Sequence, residues 1–149
     1  MTTTGLRQFD ETIHLTNAWL KELMDDLDWD DRRRAYRTLR AVLHALRDRL
    51  PVDAAAHFAA QLPMLVRGFY FEGWRPAGPR GAERTKEEFV ERVERELAND
   101  SQINPEVAAR AVFKLLSRHI SEGEINDIRG NLPEDIRSLW RRENWLDKI

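Results

Sequence analysis

The stretch Arg34-Ala-Tyr-Arg-Thr-Leu-Arg-Ala-Val-Leu-His-Ala-Leu-Arg-Asp-Arg-Leu50 decides the fold of this chain. Its apolar residues recur three and four positions apart, with Leu39, Val42 and Leu46 on one side, which is typical of an amphipathic helix packed on a core. Seventy residues later the stretch 104–120 has the same pattern, and Leu116 takes the place of Leu46. A helix that is used twice predicts a protein built from two related halves.

The repeat extends well beyond this helix. Residues 19–70 align on residues 89–140 without a gap, and Leu62-Pro63 falls on Leu132-Pro133. Apolar positions coincide while most charged positions differ, which is the expected result of a shared core with divergent surfaces. We therefore predict that superposition of the two segments brings equivalent helices together, and that the halves pack about an approximate two-fold axis.

Capping residues and prolines predict where the helices begin and end. A first helix is expected from Phe9 to about Asp28, and a second one after Asp30, the predicted N-cap residue. The spacing of Thr85 and Glu88 predicts a capping box at the first helix of the second half. No stretch shows sustained alternation of β-branched residues, so the sequence predicts an all-α fold of about eight helices, four in each half.

Composition limits the organisation of the chain. Its 149 residues suffice for a single domain, 1–149, whose core needs no disulfide or metal. The segment 72–84 holds three Gly and two Pro and is expected to be an irregular linker between the halves. The absence of cysteine excludes thiolate chemistry and disulfides. Because no signal segment and no apolar run of 18 residues is present, we expect a cytoplasmic protein that does not enter a membrane.

A basic stripe on the second helix offers one route to a partner. Arg33, Arg37, Arg40 and Arg47, with His44 between the last two, follow one another along one side of the helix. Such a stripe could bind the phosphates of a nucleic acid. However, the formal net charge is −2, and the equivalent helix of the second half lacks the stripe. Nucleic-acid binding is therefore an alternative and not the favoured interpretation.

Motifs for metals and cofactors are missing from the sequence. The acidic run that begins at Asp25 resembles a calcium loop, but Asp31 stands where the loop needs Gly and Arg37 where it needs Glu. The four histidines lack the spacing that would bring two of them to one helical face. Signatures of nucleotide binding and of a nucleophilic serine are absent as well. The sequence predicts no metal and no cofactor.

The segment Gln61-Leu-Pro-Met-Leu-Val-Arg-Gly-Phe-Tyr-Phe-Glu-Gly-Trp74 is the best candidate for a binding groove. Gly68 interrupts its helical pattern, although Gly in a helix costs about 1 kcal/mol, and it permits either close helix packing or the approach of a ligand. Polar residues at repeated positions are expected to line a groove at the two-fold axis. The candidate groove residues are Gln61, Arg67, Gly68, Tyr70, Trp74, Asn131 and Arg137.

Arg67 itself carries a sharper expectation. It lies in an apolar segment, and a guanidinium in such surroundings needs a carboxylate, carbonyl groups or a ligand anion. We expect Arg67 to be at least half buried and to pair with an acidic side chain or with carbonyls at a helix end.

The chain also resembles a known bacterial family. The similar stretches are Thr16-Asn-Ala-Trp-Leu-Lys-Glu-Leu23, residues 34–50, Ala59-Ala-Gln-Leu-Pro-Met-Leu-Val-Arg-Gly-Phe-Tyr70 with Gly73-Trp74, and Ile120-Ser-Glu-Gly-Glu-Ile125 followed by Leu132-Pro133. This pattern is similar to the family catalogued as domain of unknown function 2267. The resemblance implies a small helical bacterial protein, and it brings no established activity, cofactor or catalytic residue.

The sequence favours a non-enzymatic helical module that binds a protein or a small ligand, or that forms a homo-oligomer. An enzyme with a groove around Arg67, Tyr70 and Trp74 is the alternative from another class, and it would bring together ionisable groups with perturbed pKa values. A binding module would instead expose an apolar patch larger than a monomer usually carries.

Overall fold

A computed structural model describes residues 4–98 and 100–141. These residues form eight helices and no strand, which confirms the predicted all-α fold. The first half contains α1 (Arg7–Leu27), α2 (Arg32–Arg49), α3 (Val52–Ala59) and α4 (Met64–Phe71). The second half contains α5 (Lys86–Glu96), α6 (Pro105–His119), α7 (Glu122–Gly130) and α8 (Glu134–Arg137).

The turn between α1 and α2 corrects one predicted cap. Asp31, and not Asp30, is the N-cap of α2, and its side chain accepts hydrogen bonds from the backbone N–H groups of Arg33 and Arg34. The reason is the end of α1: Asp28 is left-handed, with φ 56° and ψ 44°, and the Trp29 N–H donates to the last turn. Residues 28–30 belong to this turn, so Asp31 takes the N-cap position of α2. The capping box of Thr85 and Glu88 is confirmed.

The core is built from the apolar faces that the spacing predicts. Leu46 of α2 and Leu116 of α6 are fully buried. The largest buried side chain, Trp140, stacks on Phe113 with ring centroids 4.4 Å apart. Its indole N–H is not left unpaired, because Nε1 donates to Ser117 Oγ at 2.8 Å. A local hydrogen bond thus satisfies the polar atom of this large core side chain.

The two halves share some local features and pack on each other. Pro63 and Pro133 precede α4 and α8 with the same dihedrals, φ −55° and ψ 149°. Across the halves, α2 packs on α5 as α6 packs on α1, while α3 packs on α7. An exchange of the halves leaves this pairing unchanged, which supports a two-fold arrangement. The axis itself stays a prediction, to be tested by superposing 19–70 on 89–140.

Ion pairs join the halves with opposite polarity in the two contacts. Arg92 of α5 pairs with Asp48 at the end of α2. Arg118 of α6 pairs with Asp26 of α1 and lies 3.6 Å from a carboxylate oxygen of Glu22. The offset of 70 residues places Glu22 on Arg92 and Asp48 on Arg118. In the contact between α2 and α5, α2 thus contributes the acidic residue. In the contact between α6 and α1, α6, the counterpart of α2, contributes the basic residue.

The segment between the halves is irregular, and α2 holds its end. The Gly81 N–H donates to the Asp48 carbonyl at 2.7 Å, and Arg49 Nε donates to the Glu83 carbonyl. These bonds fix the chain as it enters α5. Within the described residues, none of the helices has both the length and the apolar character that crossing a bilayer would require.

Candidate functional site

A groove of about 1140 Å³ lies between α1, the start of α2 and α4. The α4 helix reaches this position because its Leu65 N–H donates to Thr12 Oγ1 of α1 at 2.9 Å. The groove is lined by Thr16, Asn17, Leu20, Asp30, Asp31, Arg32, Arg33, Tyr36, Leu65, Gly68, Phe69 and Glu72. It therefore belongs to the first half alone.

Apolar side chains form the inner surface of the groove. Leu20 and Phe69 are buried, and Tyr36 meets the Phe69 ring edge to face with the centroids 5.2 Å apart. Leu65 keeps 46% of its surface exposed, although it is a large apolar residue. Exposed apolar side chains around a concave surface are typical of a binding site for another apolar surface.

Gly68 keeps one wall of the groove open. A Cβ built at this position would meet nothing within 4 Å. Close packing against another helix therefore does not explain this glycine. A larger side chain at position 68 would extend into the groove.

Charged groups of both signs form the rim. Arg32 donates to the carbonyl and the side-chain oxygen of Asn17, at 3.4 and 3.3 Å. Arg33 and Asp30 are exposed, and within residues 4–98 and 100–141 their side chains have no ion-pair partner. The rim thus carries exposed charges of both signs, Arg33 and Asp30 among them, that have no ion pair in the described chain.

Two of the predicted groove residues have structural contacts instead. Tyr70 is fully buried and its hydroxyl donates to the Ala55 carbonyl at 2.7 Å, so it cannot line an open groove, which corrects the prediction. Burial raises the pKa of Tyr70. Arg67 is half-buried and donates to the carbonyls of Ala59 and Leu62, both at 3.0 Å. This confirms the expected pairing of Arg67 with carbonyls at a helix end.

The other candidates are dispersed. Trp74 stacks on Phe71 of α4, and Asn131 donates from its side chain to the Asp127 carbonyl of its own helix. Gln61 is exposed, while Arg137 is half-buried with an Nε that has no hydrogen-bond partner in the described residues. Gly68 alone among the seven lines the 1140 Å³ groove. Ligand contact by Gln61, Asn131 and Arg137 stays a prediction.

The basic stripe of α2 is also shorter than its spacing predicts. His44 and Arg47 are buried. His44 Nε2 lies 2.7 Å from the Phe69 carbonyl, and Arg47 Nη1 donates to the carbonyls of Tyr70 and Glu72 at 2.7 and 2.8 Å. These carbonyls end α4 and need donors from outside the helix. His44 and Arg47 therefore do not belong to an exposed stripe, because they bind carbonyls at the end of α4. The prediction that Arg47 is part of a basic stripe on the surface is wrong.

Acidic side chains pair with most of the remaining stripe. Arg37 binds Asp100, and Arg40 binds Glu72, each at 3.0 Å. Arg33 is left as the exposed arginine of the stripe without an ion pair among the described residues. A surface that pairs its cations internally offers little charge for binding a phosphate backbone.

A partly buried polar network lies behind the stripe, where α2 meets α5. Glu96 receives a hydrogen bond from Arg92 Nε at 3.1 Å, and its other oxygen lies 3.8 Å from His44 Nδ1. The nearby imidazole of His44, followed by the contact with Arg92, lowers the pKa of Glu96 to about 2, although burial acts the other way. The network thus holds a carboxylate in its charged form between the halves.

This lowered pKa predicts how stability depends on pH. A depressed carboxyl pKa stabilises the fold above its unfolded value of 4.5, and the contribution is lost as the pH falls toward about 2. We expect the difference in free energy of unfolding between wild type and Glu96→Gln to be largest above about pH 5. The difference should vanish as the pH approaches the folded pKa of about 2. Urea denaturation at a series of pH values measures it.

The control for this experiment is an exposed glutamate of the same helix. Glu91→Gln should follow the wild-type pH profile, because Glu91 lies outside the network. Some acid destabilisation will persist in every variant, since backbone hydrogen bonds also lower the pKa values of Glu88 and Asp100. A difference between wild type and Glu96→Gln that grows as the pH falls would contradict the prediction.

Groups of metal ligands do not occur in the described part of the chain, where no three His, Asp or Glu residues are placed to hold an ion. A family profile described as "Uncharacterized conserved protein (DUF2267)" matches residues 16–139. The chain belongs to the DUF2267 family. Among curated proteins no match is found. The DUF2267 match covers the groove on α1, α2 and α4, but it begins at Thr16 and leaves out the first turns of α1.

Proposed function

We propose that this DUF2267 protein is a non-enzymatic binding module that takes an amphipathic helix of a protein partner in the groove between α1, α2 and α4. The observation that carries the proposal is the open apolar groove itself, with Leu65 exposed and with empty space at Gly68. A helix that lays its apolar face into such a groove is a common mode of protein recognition.

The chemistry of the groove favours a helix over a small molecule. Its volume of about 1140 Å³ does not decide between them, since it lies close to the roughly 300–1,000 Å³ of a usual small-ligand pocket. Its inner surface is apolar, while Asp30 and Arg33 on the rim suit the charged flanks of an amphipathic helix. A cytoplasmic location is part of the same proposal.

The alternative functions draw less support. Nucleic-acid binding would depend on the stripe of Arg33, Arg37, Arg40 and Arg47. Of these four, Arg33 is the exposed arginine that has no ion pair in the described chain. An enzyme around Arg67, Tyr70 and Trp74 would depend on groups that are paired with carbonyls or buried. A module that binds a helix needs neither set of residues.

The test uses a phage-displayed library of amphipathic helices selected against the protein. We expect clones whose apolar residues repeat at spacings of three and four, and we expect their binding to be lost with Leu65→Glu and with Gly68→Leu. Both changes alter the groove, and Gly68→Leu meets no neighbouring atom within 4 Å of its Cβ. The fold should therefore survive both changes.

Val52→Glu is the matched control. Val52 is 40% exposed and belongs to α3, outside the groove lining, whereas Leu65 is 46% exposed and lines the groove. Each variant adds one negative charge to an exposed apolar site, so a difference in binding reports the groove. Selected helices that bind Leu65→Glu and Gly68→Leu as well as wild type would overturn the proposal.

A further inference from the structure

The first turns of α1 extend beyond the repeated core. The helix begins at Arg7, whereas its counterpart α5 begins at Lys86, which the offset of 70 places on Thr16. Residues 7–15 therefore form an N-terminal extension of nine residues, about 13 Å long at the usual rise of 1.5 Å per residue. None of the residues 4–15 is fully buried. The extension also lies outside the family match.

The extension carries an apolar seam. Leu6, Phe9 and Ile13 are spaced by three and four residues, and the same spacing continues through Thr16 and Leu20 into the core. Phe9 keeps 47% of its surface exposed. Alternating spacings of three and four are typical of a helix that packs along another helix.

Resting on the proposed function, we propose that the groove is filled by the α1 extension of a second copy of this chain, in a reciprocal two-fold dimer. Each copy then inserts Phe9 between α1 and α4 of the other. The extension cannot fill its own groove, because both belong to one continuous helix and Thr16 already lines the groove. A two-fold axis near Thr16 lets the α1 helices run antiparallel, with both contacts formed at once.

The surfaces match in chemistry. In the dimer, the apolar seam of Leu6, Phe9 and Ile13 meets the apolar inner surface of a groove that twelve residues line. Asp10 flanks the seam, and Arg33, which has no ion pair in the described chain, lies on the rim of the groove. The reciprocal contact thus brings an acidic group toward a free cation.

Sedimentation velocity of the full chain over a range of concentrations tests the dimer. Wild type is expected to sediment as a dimer, and Phe9→Glu should raise the dissociation constant by roughly 100-fold, the effect of losing an aromatic hot spot. Leu15→Glu is the control on the same helix: Leu15 is 50% exposed, but it lies roughly 120° around the helix from Phe9. It should leave the dimer intact.

A mixing experiment tests the reciprocal contact. Phe9→Glu retains an intact groove and Leu65→Glu an intact extension, so the mixture can form one complete contact that neither variant forms alone. We expect a heterodimer in the mixture, weaker than wild type, and monomers in each separate sample. Dissociation by Leu15→Glu to the same extent as by Phe9→Glu, or absence of the heterodimer, would overturn the arrangement.

Failure of this inference can be told apart from failure of the proposed function. If wild type is monomeric and its groove still binds library helices, the dimer is overturned and the proposed helix-binding function stands. Loss of both self-association and library binding would overturn both. If both hold, Phe9→Glu should bind the selected helices at least as well as wild type, because its groove is no longer occupied.

Discussion

Arg47→Met is expected to lower the free energy of unfolding by about 2–5 kcal/mol, because the carbonyls of Tyr70 and Glu72 lose their donor and each unpaired buried acceptor costs about 1–3 kcal/mol. Methionine keeps the unbranched apolar stem and fills most of the space of Arg47. The loss therefore reports the hydrogen bonds that cap α4 together with the part-buried ion pair between Arg47 and Asp48. Chemical denaturation at neutral pH measures it.

Arg40→Met is the matched control for Arg47→Met. Arg40 lies two turns earlier on the same helix, and its ion pair with Glu72 is exposed to solvent. Exposed ion pairs contribute about 0–1 kcal/mol, so this variant should unfold close to wild type. Equal destabilisation by the two changes would contradict the capping of α4 by Arg47.

Truncation of the core leucines is expected to have an effect of similar size. Leu46→Ala and Leu116→Ala should each lower the free energy of unfolding by about 2–5 kcal/mol, because both side chains are fully buried and each change leaves a cavity. The two changes remove the same atoms from equivalent helices of the two halves. Urea or guanidinium denaturation gives both values.

Arg33→Ala is the comparison for these two variants. Arg33 is an exposed residue of α2, and surface substitutions of this kind change the free energy of unfolding by less than about 0.5 kcal/mol. If Arg33→Ala proved the more damaging change, the assignment of the apolar face of α2 would be wrong.

Local spacing predicts the helices of this protein because the core selects apolar residues at every turn. The burial of Leu46 and Leu116 follows from this spacing, and so does the capping box of Thr85. The choice between Asp30 and Asp31 as cap could not be predicted in this way. It depends on the left-handed backbone of Asp28, which decides how many residues the turn takes up.

The candidate site was harder to predict, since tertiary contacts decide it. The sequence marks Gly68 as unusual, and Gly68 does line the groove, but Leu20 and Leu65 meet there only because α4 docks on α1. Arg47 has the spacing of a surface residue on α2. Its long side chain nevertheless reaches the carbonyl end of α4, and the sequence does not indicate which carbonyls lack donors.

Opposite charges in the two contacts between the halves determine which segments can recognise each other. Two copies of the first half, paired as the halves are here, would bring Asp48 against Glu22, and two copies of the second half would bring Arg118 against Arg92. Like charges oppose both combinations. The halves have similar cores, but the charges at their contacts therefore favour the pairing of a first half with a second half. If the chain were cleaved between α4 and α5, its fragments would favour each other over copies of themselves.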